Sequence, residues 1–224
     1  MVIIKENYSS PNIHHTLGKM VLLFFFLTIS FHGFNQCVFK GTFISLSSGV
    51  KYVSAQELNK SIENWLVLNG FLPRMSSQDA LNLGVSTDLT FQFPILKFVD
   101  ISVDASYSYF KKEYKNNGSD YLIIDINQIT PSLNALLRLG PLRFGVGGFY
   151  SFYQNTWNNN VTETKSKYKS NNFGYSFSFI LLTPVIKRFY IITKGKYEIV
   201  HYKIEGEKDY FSGLTFNIGF GIKL

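Results

Sequence analysis

The stretch Leu81–Phe93 reads LNLGVSTDLTFQF, and its two parities separate cleanly. Leu81, Leu83, Val85, Thr87, Leu89, Phe91 and Phe93 fall on one side, and Asn82, Gly84, Ser86, Asp88, Thr90 and Gln92 on the other. In extended backbone successive side chains point to opposite faces, so this is a strand with one apolar and one polar face. The split recurs at Val99–Tyr109, Leu142–Phe152, Phe173–Leu181, Phe189–Ile199 and Leu214–Leu224. Phe39–Val50 and Ile124–Leu139 complete a set of eight. The first of these two alternates weakly. The second changes parity near Asn127 and Gln128, which predicts a bulge with Pro131 at the same irregularity.

Composition fits an all-β chain. Among 224 residues there are 22 Phe and 14 Tyr, more than a packed helical core uses. One cysteine excludes a disulfide framework and a Cys-based zinc cluster. No metal or cofactor motif is present, and Gly145, Gly147 and Gly148 lie in a strand rather than in a phosphate-binding loop. The formal net charge is +7, but the lysines and arginines are scattered, so no nucleic-acid partner is expected.

Eight amphipathic strands close in one of two ways. A soluble lipid-binding barrel buries the apolar face and presents the other to water. That other face is mostly Ser, Gly, Asn and Thr, a composition suited to a crowded interior. The apolar face therefore looks at lipid, and the runs reach the roughly 9 to 11 residues that a membrane strand needs. Connections agree: those at Pro94–Phe98, Gly140–Pro141 and Pro184–Arg188 are tight, whereas Lys51–Asp79 and Thr156–Asn172 are long and polar. With both termini periplasmic, every long connection falls outside. The expected fold is an eight-stranded antiparallel transmembrane β-barrel with one short helix in its first extracellular loop.

Lys19–Cys37, KMVLLFFFLTISFHGFNQC, has a basic residue, a short apolar run and a polar boundary, which reads as a signal peptide cut near Gln36 or Cys37. Residues 1–36 are thus an N-terminal extension and signal peptide, and 37–224 the barrel domain. Met20 is a candidate start, and His14 and His15 precede it. Phe34, Asn35 and Gln36 do not fit lipidation of Cys37.

The segment ITPSLNALLRLGPLRFGVGGFYSFY and the final strand LTFNIGFGIKL resemble the small outer-membrane β-barrel family, porin-like and OmpA- or OmpX-like, in the versions found in Bacteroidota-type envelopes. The resemblance runs from about Phe39 to Leu224. It implies a monomer in the bacterial outer membrane, exported by a signal peptide, with outer-membrane lipid as its partner and an unidentified extracellular ligand open. It says nothing about activity.

Candidate site residues follow from parity. Leu83, Val103, Val146, Phe177, Ile191 and Ile218 belong to the membrane-facing set. Asp88, Asp100, Asp104, Arg138, Arg143, Lys194, Lys196, Glu198 and Lys223 point inward, and such charges are tolerated only as a paired network. An eight-stranded lumen is just wide enough to be filled by side chains, so no solute pathway is expected. In the first outer loop, Ser54-Ala-Gln-Glu57 reads as a capping box, Leu58, Ile62, Trp65 and Leu66 share a helical face, and Gly70 and Pro73 end the element. This helix, about Ala55–Leu68, is expected as a rim lid with Trp65 at the headgroups. For enzymatic chemistry the weak candidates are His201 and Ser212, which a Gly206-Glu207 turn would set opposite each other, with Glu205 and Asp209 near. Lipid A deacylase barrels carry His and Ser two positions apart on one strand, and Lys203 holds that spacing here. The function read from the sequence is a structural or surface-interaction barrel with a filled, non-conducting lumen. A rim-acting acyl hydrolase and a secreted soluble lipid-binding barrel are the alternatives.

Overall fold

The computed structural model describes residues 40–71, 81–115, 120–204 and 207–224, the side chains of 202–211 excepted. The expected signal peptide, Cys37, Pro73, Glu205 and Gly206, with the Asp209 side chain, lie outside that set.

Eight strands and one helix follow in chain order: β1 (Phe43–Ala55), α1 (Gln56–Leu68), β2 (Leu83–Pro94), β3 (Val99–Lys115), β4 (Tyr121–Leu139), β5 (Leu142–Asn159), β6 (Lys165–Ile186), β7 (Phe189–Ile204) and β8 (Glu207–Lys223). Each strand pairs antiparallel with its neighbour in sequence, and β1 pairs with β8 from Phe43–Lys223 to Ala55–Phe211, closing the barrel. Beyond the last pair, Leu224 donates its N–H to the Thr42 carbonyl at 2.9 Å. Closure removes every free edge, so the strand ladders satisfy their own peptide groups without water.

The β4–β5 turn has only two residues between the strands, and Gly140 there has φ +61°, a left-handed conformation that costs glycine nothing. This turn, with those at Pro94–Val99 and Ile186–Phe189, marks the end of the barrel that also holds the C-terminus. It is called the terminal end below; α1 lies toward the other, the helix end.

Three expectations change. The strands run further toward the helix end: β1 continues through Lys51 to Ala55, and most of the polar stretch Thr156–Asn172 is strand. Only residues 160–164 connect β5 to β6, where the Asn159 side chain accepts from the Thr162 N–H at 2.9 Å and donates to Thr164 Oγ1 at 3.1 Å. Second, β4 has no bulge. Its burial alternates without a break from Tyr121 to Leu139, and its pairing with β3 is continuous. Pairing with β5 skips Thr130 and Pro131, then resumes in the same register. What changes near Asn127 is the chemistry of the inward face, from Leu122, Ile124 and Ile126 to Gln128, Thr130, Ser132 and Asn134. Among the described residues the register shifts at Pro184–Ile186, against β7.

Third, α1 has no capping box. Ala55 occupies the N-cap without a side-chain bond, because Ser54 is the penultimate residue of β1 and pairs with Ser212. The strand runs straight into the helix.

Candidate functional site in the barrel interior

Alternation of side chains along closed strands creates two surfaces with different tasks. On the outside, Leu83, Val103, Val146, Phe177, Ile191 and Ile218 are all exposed, in a band with Leu46, Leu133, Phe144 and Phe216. Burial alternates against them, and the inward positions include buried polar groups such as Ser102, Asp104, Ser176, Ser178 and Asn217.

At the terminal end Asp100 anchors two arginines. Arg138 Nη1 lies 2.9 Å from Oδ1, and Arg143 Nε donates to Oδ2 at 2.9 Å. The turn makes this happen: Arg138 and Arg143 pair directly across the β4–β5 hairpin, which forces two like charges side by side. One carboxylate cannot balance both, and backbone dipoles take up the excess. Arg138 donates to the carbonyls of Leu96 at 3.0 Å and Lys97 at 2.7 Å, and Arg143 to those of Gly140 at 2.5 Å and Leu142 at 3.1 Å. Gln92 donates to Asp100 Oδ2 at 2.7 Å. Lys223 is half-buried at this end.

The middle of the interior holds a second layer. Lys194 lies 3.1 Å from Asp104 and 3.3 Å from Asp88. Asp104 also accepts from Thr90 at 2.6 Å and from the Asn134 amide at 2.5 Å, while Asn217 donates to Asp88 at 2.9 Å. Gly147, paired with Asn134, leaves the room this amide needs: a Cβ there would sit 2.1 Å from Asn134 Oδ1. Lys196 reaches Glu198 at 2.8 Å and sits over the Phe149 ring at 5.6 Å.

Lys51 completes this layer, and the sequence reading missed it by ending the first strand at Val50. It is 2% exposed, ion-paired to Glu198, and donates to Gln128 Oε1 at 2.9 Å. The signal was parity: Phe43, Ser45, Ser47, Gly49, Lys51 and Val53 form one inward series, obscured by small residues. The layer thus sets Lys51, Lys194 and Lys196 against Asp88, Asp104 and Glu198, equal numbers of each sign, as burial of charge demands.

Toward the helix end the interior turns apolar. Leu58, Ile62 and Leu66 of α1 are buried in one cluster with Val53, Phe110, Leu122, Ile124, Ile126 and Val200, inward residues of five strands when Phe149 and Tyr153 of β5 are included. Trp65 packs against this cluster, its ring 5.7 Å from Phe71. Leu81, assigned by parity to the outer face, is buried here too, since it precedes β2. The helix therefore presses its apolar face on the inner wall rather than on lipid headgroups, and Trp65 is a packing residue.

His201 and Ser212 are not opposed. The β7–β8 register sets His201 against Tyr210 and Ser212 against Ile199, two residues away from the expected pairing. The exposed Asn172 donates to the His201 carbonyl. Among the described residues no group of three or more His, Cys, Asp or Glu could hold a metal ion.

No protein-family model matches the chain, and no curated protein matches its sequence. Solved structures do resemble it. Ail, the attachment invasion locus protein of Yersinia pestis, in complex with the heparin analogue sucrose octasulfate, superposes with a TM-score of 0.52 at 8% identity, covering 82% of this chain and 99% of that one. The Ail structure without that addition gives 0.50 at 9% identity over the same shares. Neisserial surface protein A gives 0.48 at 13%, covering 83% of this chain and 98% of that one. The chain has the closed eight-stranded barrel fold of small outer-membrane proteins.

Proposed function

We propose that this chain is a bacterial outer-membrane barrel whose side chains fill its lumen, serving a structural or surface-interaction role without conducting solutes. The observation that carries the reading is the pairing of an exposed apolar belt with a buried, ion-paired interior. Water would not tolerate the first on a soluble protein, and only a closed barrel in lipid uses it. The terminal end then faces the periplasm and α1 lies toward the outside, where outer-membrane lipid is the immediate partner. A soluble lipid carrier would need an apolar lumen, whereas Ser, Thr, Asn and paired ions occupy the middle of this one.

Two measurements test the reading. Fractionated cells should carry the protein in the outer membrane, and the folded form should migrate differently from the boiled form on a gel. In planar bilayers the purified protein should add no steady conductance; stable open-channel currents would overturn the filled lumen.

A further inference from the structure

Above the apolar belt, the outer wall of β3–β6 carries a polar groove of about 370 Å³, and the interior chemistry does not account for it. Asp125, Asn127, Gln154 and Thr156 line it, with Lys165 and Lys167 along one side. Strand register dictates the arrangement: Lys111, Asp125, Thr156 and Lys167 pair in one row, and Tyr109, Asn127, Gln154 and Lys169 in the next. Lys165, Lys167 and Lys169 repeat every second residue on β6, so all three point out of the barrel, and all are exposed. None of the three has an ion-pair partner among the described residues. Asp125, by contrast, is held by the Tyr109 hydroxyl at 2.7 Å.

We propose that this groove binds the acidic sugar headgroup of a lipid in the surrounding leaflet, a phosphorylated glycolipid being the chemistry that fits. The proposal rests on the membrane reading above and adds a specific site to it. Primary amides and a hydroxyl both donate and accept, which suits sugar hydroxyls, while ammonium groups suit phosphate as point charges. Position identifies the partner as a lipid rather than a soluble polyanion. One row beyond Gln154, toward the terminal end, the wall shows Phe152 beside Ile129, and the next row pairs Tyr150 with Phe173. The Tyr150 ring stands 4.9 Å from Phe152 and 4.8 Å from Phe173, an aromatic border where headgroup meets hydrocarbon. A lipid seated there would place its acid groups at the lysines and its chains on the belt. The groove faces sideways into the headgroup layer, a surface that a soluble polymer above the barrel does not meet.

The test uses the full-length protein refolded into phosphatidylcholine vesicles doped with bisphosphorylated lipid A, then extracted in mild detergent, repurified and analysed for retained lipid. Wild type should retain lipid A selectively, and Lys165→Gln/Lys167→Gln/Lys169→Gln should retain at least about tenfold less while keeping its heat-modifiable migration, on the usual strength of lysine at an anionic surface. Lys97→Gln/Lys187→Gln at the opposite rim should behave as wild type, and dephosphorylated lipid A should not be retained. Equal retention by the triple variant, equal loss in the opposite-rim variant, or displacement of the lipid by millimolar inorganic phosphate or by heparin would overturn the site. Insertion without selective retention sinks the site alone; failure of wild type to insert sinks the membrane reading with it.

Discussion

Arg143 donates its Nε–H to Asp100 across 2.9 Å, and neither side chain reaches solvent. Arg138 uses the other oxygen of the same carboxylate, so both arginines share one acid as their ion-pair partner. Replacing Asp100 by Ala strands two buried guanidinium groups. Removing one partner of a buried pair costs roughly 3–5 kcal/mol, and the loss should appear as a lower urea midpoint for vesicle-embedded protein. Asp100→Leu combined with Arg143→Met should recover part of that loss.

Glu198 and Lys51 should not be equivalent. Lys51→Met leaves Glu198 paired with Lys196, whereas Glu198→Leu leaves both lysines without their carboxylate. The glutamate variant is therefore expected to lose more stability, by about 1–2 kcal/mol, given the cost of an uncompensated buried charge. Equal midpoints for the two variants would mean that Lys51 and Lys196 are balanced elsewhere.

Ile218 lies in the middle of the outward series of β8, between Phe216 and Phe220, and is 55% exposed. Ile218→Arg should cost roughly 2–4 kcal/mol of folding free energy in vesicles, the usual penalty at mid-bilayer. The same substitution at exposed Lys167 should cost nothing measurable. A neutral effect at Ile218 would place water, not lipid, against this face.

Replacing residues 56–68 with a Gly and Ser linker removes Leu58, Ile62 and Leu66 from the interior cluster but none of the strand pairs that close the barrel. Folding, read as heat-modifiable migration, should survive with a lower denaturation midpoint. Ile62→Ala alone should cost about 2–5 kcal/mol, the range for truncating a buried aliphatic side chain. Loss of closure on deletion would make α1 part of the folding core.

The Leu81–Phe93 pattern and its repeats determined the strands and the polarity of their faces, because side-chain alternation is a property of the extended backbone itself. Asp100, Arg138 and Arg143 were legible as one cluster for the same reason: a tight turn at Gly140 fixes its own register. Three matters were decided only by the closed barrel. Lys51 finds Glu198 across 147 positions of chain, a meeting set by how the sheet curls, which no local pattern encodes. His201 and Ser212 part because the β7–β8 register follows the whole ladder rather than one presumed turn. Leu122, Ile124 and Ile126 look like a change of parity in the sequence, yet the strand keeps its geometry. Their inward face is apolar because α1 fills that part of the interior, and hydrophobicity reports what a residue touches, not which way its strand is turned.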